Sequence, residues 1–443
     1  MKSHGLIIAT LAFVALSGTL YWSEHHKAPE ASAKASSDSS PSILKVDEGS
    51  ITKLELKKKA AAPIVLIKDS SGQWQITAPQ PLRADESTVS SMLSTLSSLN
   101  SERVVEDKAA DLKRYGLDEP AVEADFTEKD NKSQSLLIGD DTPTGGAVYA
   151  ALRNDPRVFT IASYNKNSVD KTVNDLRDKR LLTVNADKIS RVELVERGED
   201  IEFGRNKEDW QILKPRPLRA DSNQVGDLVR KLTDARMDLS GTDTDSKKSA
   251  SSFAHGTPVA TAKVTDESGT QELLIHKEKD KYYAKSTAVD GVFTIDSSFG
   301  QAVDKKLDDF RNKKLFDFGF GDPQKIELHN GSKAYYLSRG SNSEDWWSNG
   351  KKMDAASVQS LISKLRDLQA SKFLDSGFAN PTIEAVVTSD EGKRVEKVSI
   401  AKSNNGYIAE RENDTTLYQL DASSVDDLQK AAEEIKPASA TSR

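Results

Sequence analysis

The chain contains no cysteine in 443 residues. That excludes disulfides, iron–sulfur clusters, thiol nucleophiles, zinc–thiolate sites and a lipidated cysteine anchor. Histidine is scarce, with 6 residues. His4, His25 and His26 lie near the N-terminus, and His255, His276 and His329 are isolated. No His-Glu-x-x-His or His-x-His spacing occurs, so no histidine metal site is expected, and the His25-His26 pair reads as solvated linker. An excess of positive charge is also missing. Lys and Arg number 62 against 69 Asp and Glu, giving a net charge of −7 with the two signs interleaved. Nucleic acid is therefore not an expected partner. Hydrophobic residues make up 36% and charged residues 30%, enough for packed cores under a very polar surface.

Only one long apolar run is present. Residues 6–22 are uncharged and mostly apolar, preceded by Lys2 and ended by Tyr21 and Trp22. That length is at the short limit for a hydrocarbon layer of about 30 Å, and interfacial aromatics suit its end. A membrane anchor is expected at 1–22, with the bulk of the chain extracytoplasmic on a single-pass inner-membrane protein. The alternative is a signal peptide cleaved near Ala15-Leu16-Ser17, leaving a secreted or periplasmic protein. The apolar run continues past that point, which favours the anchor. Residues 23–42, rich in Ser, Ala and Lys, read as a flexible linker.

One passage is written twice. Trp74, Pro79, Pro81, Arg83 and Asp85 recur at constant offset as Trp210, Pro215, Pro217, Arg219 and Asp221. A repeat of that size is domain-sized rather than a solenoid unit. Behind each aspartate runs an apolar set at helical spacing: Val89, Met92, Leu93 and Leu96, then Val225, Leu228, Val229 and Leu232. Asp354 heads a third such set, Val358, Leu361, Ile362 and Leu365. Each aspartate is placed to cap its helix, and Gln224 to complete a capping box with Asp221. The third copy is divergent, with a Trp346-Trp347 pair and Lys352 where the others carry arginine.

The same order of landmarks follows each helix. Tyr115 to Pro120, Phe253 to Pro258 and Phe378 to Pro381 precede alternating strands at 122–126, 259–264 and 383–387. Opening strands are expected at 44–46, 182–184 and 316–318, leading to 54–56, 192–194 and 326–328. The expected fold is α+β: three tandem modules, each a mostly antiparallel sheet of about seven strands with about two helices on one face. Expected boundaries are 43–180, 181–314 and 315–437, with a tail at 438–443.

These landmarks resemble the family known as domain of unknown function 4340. The residues that carry the resemblance are Trp74 through Asp85, Tyr115-Gly-Leu-Asp-Glu-Pro120 and the Leu176-to-Leu182 run. It covers the first two modules well and the third loosely. The resemblance implies a bacterial protein with one N-terminal membrane segment, often encoded beside ABC-type transporter components of the gliding-motility kind. It implies no catalytic residues.

Signatures of chemistry are few. No Gly-x-Ser-x-Gly elbow and no phosphate-binding Gly-x-x-x-x-Gly-Lys loop occur. Ser-x-x-Lys at Ser163/Lys166 and Ser399/Lys402 is expected by chance in a chain this rich in both residues. Asp243 with Asp245, and Asp140 with Asp141, lack the ligand number and glycine turn of a calcium loop and read as solvated loops. The best candidates for a ligand are Arg83, Arg219 and Lys352, each two residues before a helix start, where a cation and the helix N-terminus together suit an anion. The competing reading has each cation pairing with the cap aspartate or stacking on its tryptophan.

The sequence thus leads to a non-catalytic scaffold or accessory protein, with no cofactor, the membrane as one partner and ABC transporter subunits or other envelope proteins as others. An anionic-ligand or envelope-polymer binding protein is the alternative, and a carboxylate-dependent hydrolase ranks third.

Overall fold

The computed structural model describes residues 43–439 apart from Lys45, Arg197, Glu208, 240–242, 319–322, 341–342 and Asn405. The expected anchor, the linker, His4, His25 and His26 lie outside the described residues. Among the described residues no helix is long and apolar enough to cross a membrane. The chain divides into two compact units after Asp178.

The first unit holds one sheet. Its strands are β1 (Ile51–Lys58), β2 (Ile64–Lys68), β3 (Trp74–Ala78), β4 (Leu82–Arg83), β5 (Arg103–Glu106), β6 (Val122–Glu128), β7 (Ser133–Asp141), β8 (Ala147–Leu152) and β9 (Val158–Ala162). Helix α1 (Glu86–Ser97) follows β4, and the short helices α2 (Ser163–Val169) and α3 (Val173–Leu176) follow β9. The order β4-β3-β2-β1-β6-β7-β8-β9-β5 joins two antiparallel meanders at the β1/β6 pair. Alternation decides the faces. Leu54 and Leu56 of β1 enter the core with Ala124 and Phe126 of β6, and Val89, Met92, Leu93 and Leu96 of α1 cover them. Glu55 and Lys57 point the other way, into a charged ladder with Glu123 and Asp125.

The second unit repeats the plan twice. One sheet contains β10 (Arg191–Glu196), β11 (Glu199–Asn206), β12 (Asp209–Lys214), β13 (Leu218–Arg219), β14 (Thr257–Asp266), β15 (Gly269–Glu278), β16 (Lys281–Ser286) and β17 (Val292–Ile295). Its order is β13-β12-β11-β10-β14-β15-β16-β17, with helices α4 (Ser222–Thr233), α5 (Asp243–His255), α6 (Ser297–Val303) and α7 (Leu307–Phe310). The last sheet contains β18 (Lys325–Asn330), β19 (Lys333–Ser338), β20 (Trp347–Ser348), β21 (Lys351–Lys352), β22 (Lys372–Leu374), β23 (Ile383–Ser389), β24 (Arg394–Ser403), β25 (Gly406–Arg411) and β26 (Leu417–Leu420). Its order is β21-β20-β19-β18-β23-β24-β25-β26-β22, with α8 (Ala355–Arg366) and α9 (Ala422–Glu433). Each of the three sheets has its own apolar core.

The three sheets are antiparallel and carry helices, as expected, but the details differ. The sheets have nine, eight and nine strands rather than about seven. The additions are mostly two- to four-residue edge strands, too short to show a period. At the expected opening strands, Leu44, Val46 and residues 182–184 and 316–318 do not lie in strands. Their apolar residues do alternate into the core: Leu44 and Val46, Leu182 and Val184, Phe316 and Phe318 are buried. Their backbones do not join a ladder. The preceding or first amides instead satisfy carbonyls past the helix ends, Ile43 to Leu99, Leu181 to Ala235 and Leu315 to Leu368. Asp243 and Asp245 lie in α5 rather than in a loop, and Asp140 and Asp141 end β7.

Candidate functional site

The duplicated motif builds the same corner three times. In β3, Trp74 is buried and Gln75 on the opposite face is half-buried. The chain then turns through a cis Ala78–Pro79 bond and returns as β4; the second copy has a cis Lys214–Pro215 bond at the same place. Two residues later the helix starts. Asp85, Asp221 and Asp354 are its N-caps, their carboxylates accepting from the amides of Thr88, of Asn223 and Gln224, and of Ser357. These groups satisfy donors that a helix N-terminus leaves without intrahelical partners. Gln224 forms no capping box; its side-chain carbonyl accepts from Lys305 Nζ at 3.0 Å.

The same aspartates also clamp the far end of their modules. The backbone N–H of Asp85 donates to the carbonyl of Leu176 at 2.7 Å, that of Asp221 to Phe310 at 2.8 Å and that of Asp354 to Lys436 at 2.9 Å. Single bridges flank each clamp: Ala84 with Arg177, Ala220 with Arg311, and Met353 with Pro437. The corner therefore ties the helix start to the segment that ends the module.

The three cations are engaged by carboxylates of the chain itself. Arg83 Nε lies 3.8 Å from Asp178 Oδ2, and the Asp178 side chain is almost fully buried. Arg219 Nη2 donates to Asp317 Oδ2 at 2.6 Å, and its Nη1 to the Lys314 carbonyl at 2.9 Å and the Tyr418 hydroxyl at 3.1 Å. Lys352 Nζ pairs with Asp345 at 2.8 Å. Burial lowers the Arg219 value, but Asp317 and Tyr418 outweigh it and hold the guanidinium above its ordinary range. The tryptophans are stacked by other cations. Lys68 lies over Trp74 at 5.1 Å, Arg205 over Trp210 at 6.0 Å and Arg339 over Trp346 at 5.5 Å.

Two partners of this corner were visible but misassigned. Asp178 stands inside the Leu176-to-Leu182 run that carries the family resemblance. Asp317 follows the buried Phe316 and looked like an outward strand residue.

An open cleft of about 420 Å³ beside Trp74 is lined by Glu48, Lys68, Glu86, Ser90 and Leu93 among others. Its carboxylates have partners: Glu86 accepts from the Trp74 amide and Glu48 from the Ser90 hydroxyl at 2.8 Å. Among the described residues, no group of three or more His, Asp or Glu is arranged to hold a metal ion. His276 stacks on Phe253 at 3.9 Å and bonds its carbonyl through Nδ1 at 2.7 Å. Lys166 pairs with Asp141 at 3.5 Å. Ser399 and Lys402 are three apart in β24 and so face opposite sides of it.

Comparison with known proteins gives one result. The family model described as "Domain of unknown function (DUF4340)" matches residues 74–214 and again 210–385. Both stretches begin at the tryptophan of the corner, so each spans the end of one sheet module and the start of the next. No curated protein and no solved structure matches the chain.

Proposed function

Since the chain belongs to the DUF4340 family, we propose that it is a non-catalytic, membrane-anchored extracytoplasmic scaffold or accessory protein, working with an ABC-type transport system. The observation that supports this most is the use made of the duplicated corner. Its aspartates cap helices and clamp module ends, and its cations pair with Asp178, Asp317 and Asp345. The best-preserved side chains of the repeat thus hold modules in shape, and contacts with partners fall to the polar outer faces and loops. The anionic-ligand alternative loses ground for the same reason, because an incoming anion would have to displace a carboxylate held at each cation. The anchor at 6–22 and the transporter association rest on the sequence and on the family resemblance.

The test is affinity purification of tagged, full-length protein from gently solubilised native membranes, followed by mass spectrometry. Specific recovery of ABC-type transporter subunits is expected. Recovery of the protein from the soluble fraction, or from membranes with no partner above background, would overturn the proposal.

A further inference from the structure

The strongest charge cluster lies within the second unit, where the third sheet module meets the end of the second. Arg219 of β13 reaches Asp317, as described, and Asp317 Oδ2 is also 3.6 Å from Arg411 Nη2 of β25. Arg411 pairs with Glu396 of β24 at 3.0 Å and donates to the Leu315 carbonyl. Glu396 in turn accepts from the Asp317 amide at 3.0 and 3.1 Å. Arg394 of β24 donates to the Asp317 carbonyl at 2.6 Å. Tyr418 of β26 receives Arg219 and donates to Asp414 at 2.7 Å. Arg311 closes the edge, bonding Asp308 of α7 at 3.0 Å and Thr416 at 3.2 Å while lying 3.6 Å over the Phe373 ring.

The duplication supplies an internal control. Where Glu396 is the third residue of β24, the third residue of β15 is Gln271; where Arg411 ends β25, Ser286 ends β16. At the start of the second module Gln271 exchanges two neutral hydrogen bonds with Thr183, at 2.8 and 2.9 Å, and Ser286 bonds the Leu181 carbonyl. The same contacts are thus made there without charge. Hydrogen bonding alone does not require the ionic version.

We infer that this cluster is an acid-sensitive latch that docks the third module on the second. The carboxylates of Asp317, Glu396 and Asp414 balance Arg219 and Arg411 in a half-buried setting. Neutralising this acidic side leaves two guanidinium groups facing each other beside Arg311 and Arg394, with their compensation gone, and breaking one side of such a cluster is strongly unfavourable. Burial pushes the Asp414 carboxyl up, but Tyr418, Thr416 and Arg219 outweigh it, so the group stays ionised below the usual 3.8. Because each module has its own core, the latch opens without either module unfolding.

A chain without native cysteine suits a direct test. Spin labels at Asn223→Cys on α4 and Ser360→Cys on α8, both exposed, report the distance between the two modules in the full-length protein. A single narrow distribution is expected near pH 7, shifting to longer and broader distances only as pH falls below 3.8, the ordinary value beneath which Asp414 is held. Far-UV circular dichroism must be retained over the shift. Asp317→Asn combined with Asp414→Asn is expected to produce the long population at neutral pH. An unchanged distribution in that folded variant would overturn the latch. So would loss of secondary structure in the unsubstituted protein before any change in distance.

Discussion

The backbone N–H of Asp221 donates to the carbonyl of Phe310 at 2.8 Å while its carboxylate accepts from Asn223 and Gln224. One residue thus starts a helix and fastens the far end of the module. Asp221→Ala removes the cap and keeps the backbone clamp. It is expected to cost about 1 kcal/mol, the usual effect of losing a helix cap. Chemical denaturation that shows no fall in midpoint would refute the capping role, and Asp85→Ala and Asp354→Ala should behave alike.

The capping relationship was legible in the sequence because it is local. Asp85, Asp221 and Asp354 precede apolar sets at helical spacing, and of those residues all but Val229, which is partly buried, lie fully in a core. The partners of Arg83 and Arg219 were not legible. Asp178 lies 95 residues from Arg83 and Asp317 lies 98 from Arg219, and only the tertiary fold brings them near. The tripeptides at 182–184 and 316–318, with buried first and third residues, read as strands in the sequence because alternation reports which side chains are buried and not where the backbone hydrogen bonds go. Glu396 and Arg411 stand in strands whose apolar pattern hides their role.

Trp346 and Trp347 test the same logic in the divergent copy. Trp346 is 5% exposed and continues the line of Trp74 and Trp210, whereas Trp347, at 44%, stands where those copies have Gln75 and Gln211. Trp346→Ala is expected to destabilise by about 3–5 kcal/mol, as loss of a buried aromatic does. Trp347→Gln restores the residue of the other copies and should stay within about 0.5 kcal/mol of the parent. Equal losses in thermal or urea melts would show that the outer tryptophan also packs.

Gly139 explains the Tyr115-Gly116 landmark. A Cβ at Gly139 would fall 2.2 Å from the Tyr115 carbonyl oxygen, and one at Gly116, where φ is +65°, would fall 2.5 Å from the Asp140 carboxyl. The first obstacle is backbone and has no rotamer to escape into. Gly139→Ala should therefore cost about 1–3 kcal/mol, in the range of overpacked sites. Stability equal to the parent in guanidinium titration would mean that β7 shifts freely at its irregularity near Gly139.

Glu202 sets the direction of one pH dependence. It is buried beneath Arg191, at 2.6 Å, and Lys214, at 2.9 Å, on the outer face of the second module's sheet. Burial raises its carboxyl, but hydrogen bonds from Lys214 and Arg191 outweigh that and hold it below the ordinary 4.5. A carboxyl depressed by folding contributes stability that is present above its unfolded value and lost as pH falls through its folded value. Glu202→Gln removes that titration and leaves two cations without their shared partner. The substitution should therefore be most harmful near neutrality, and its penalty should shrink as pH drops below 4.5. Urea midpoints of both proteins measured across this range decide the matter: a gap that stays constant or widens in acid would show that the ion pairs do not govern the response.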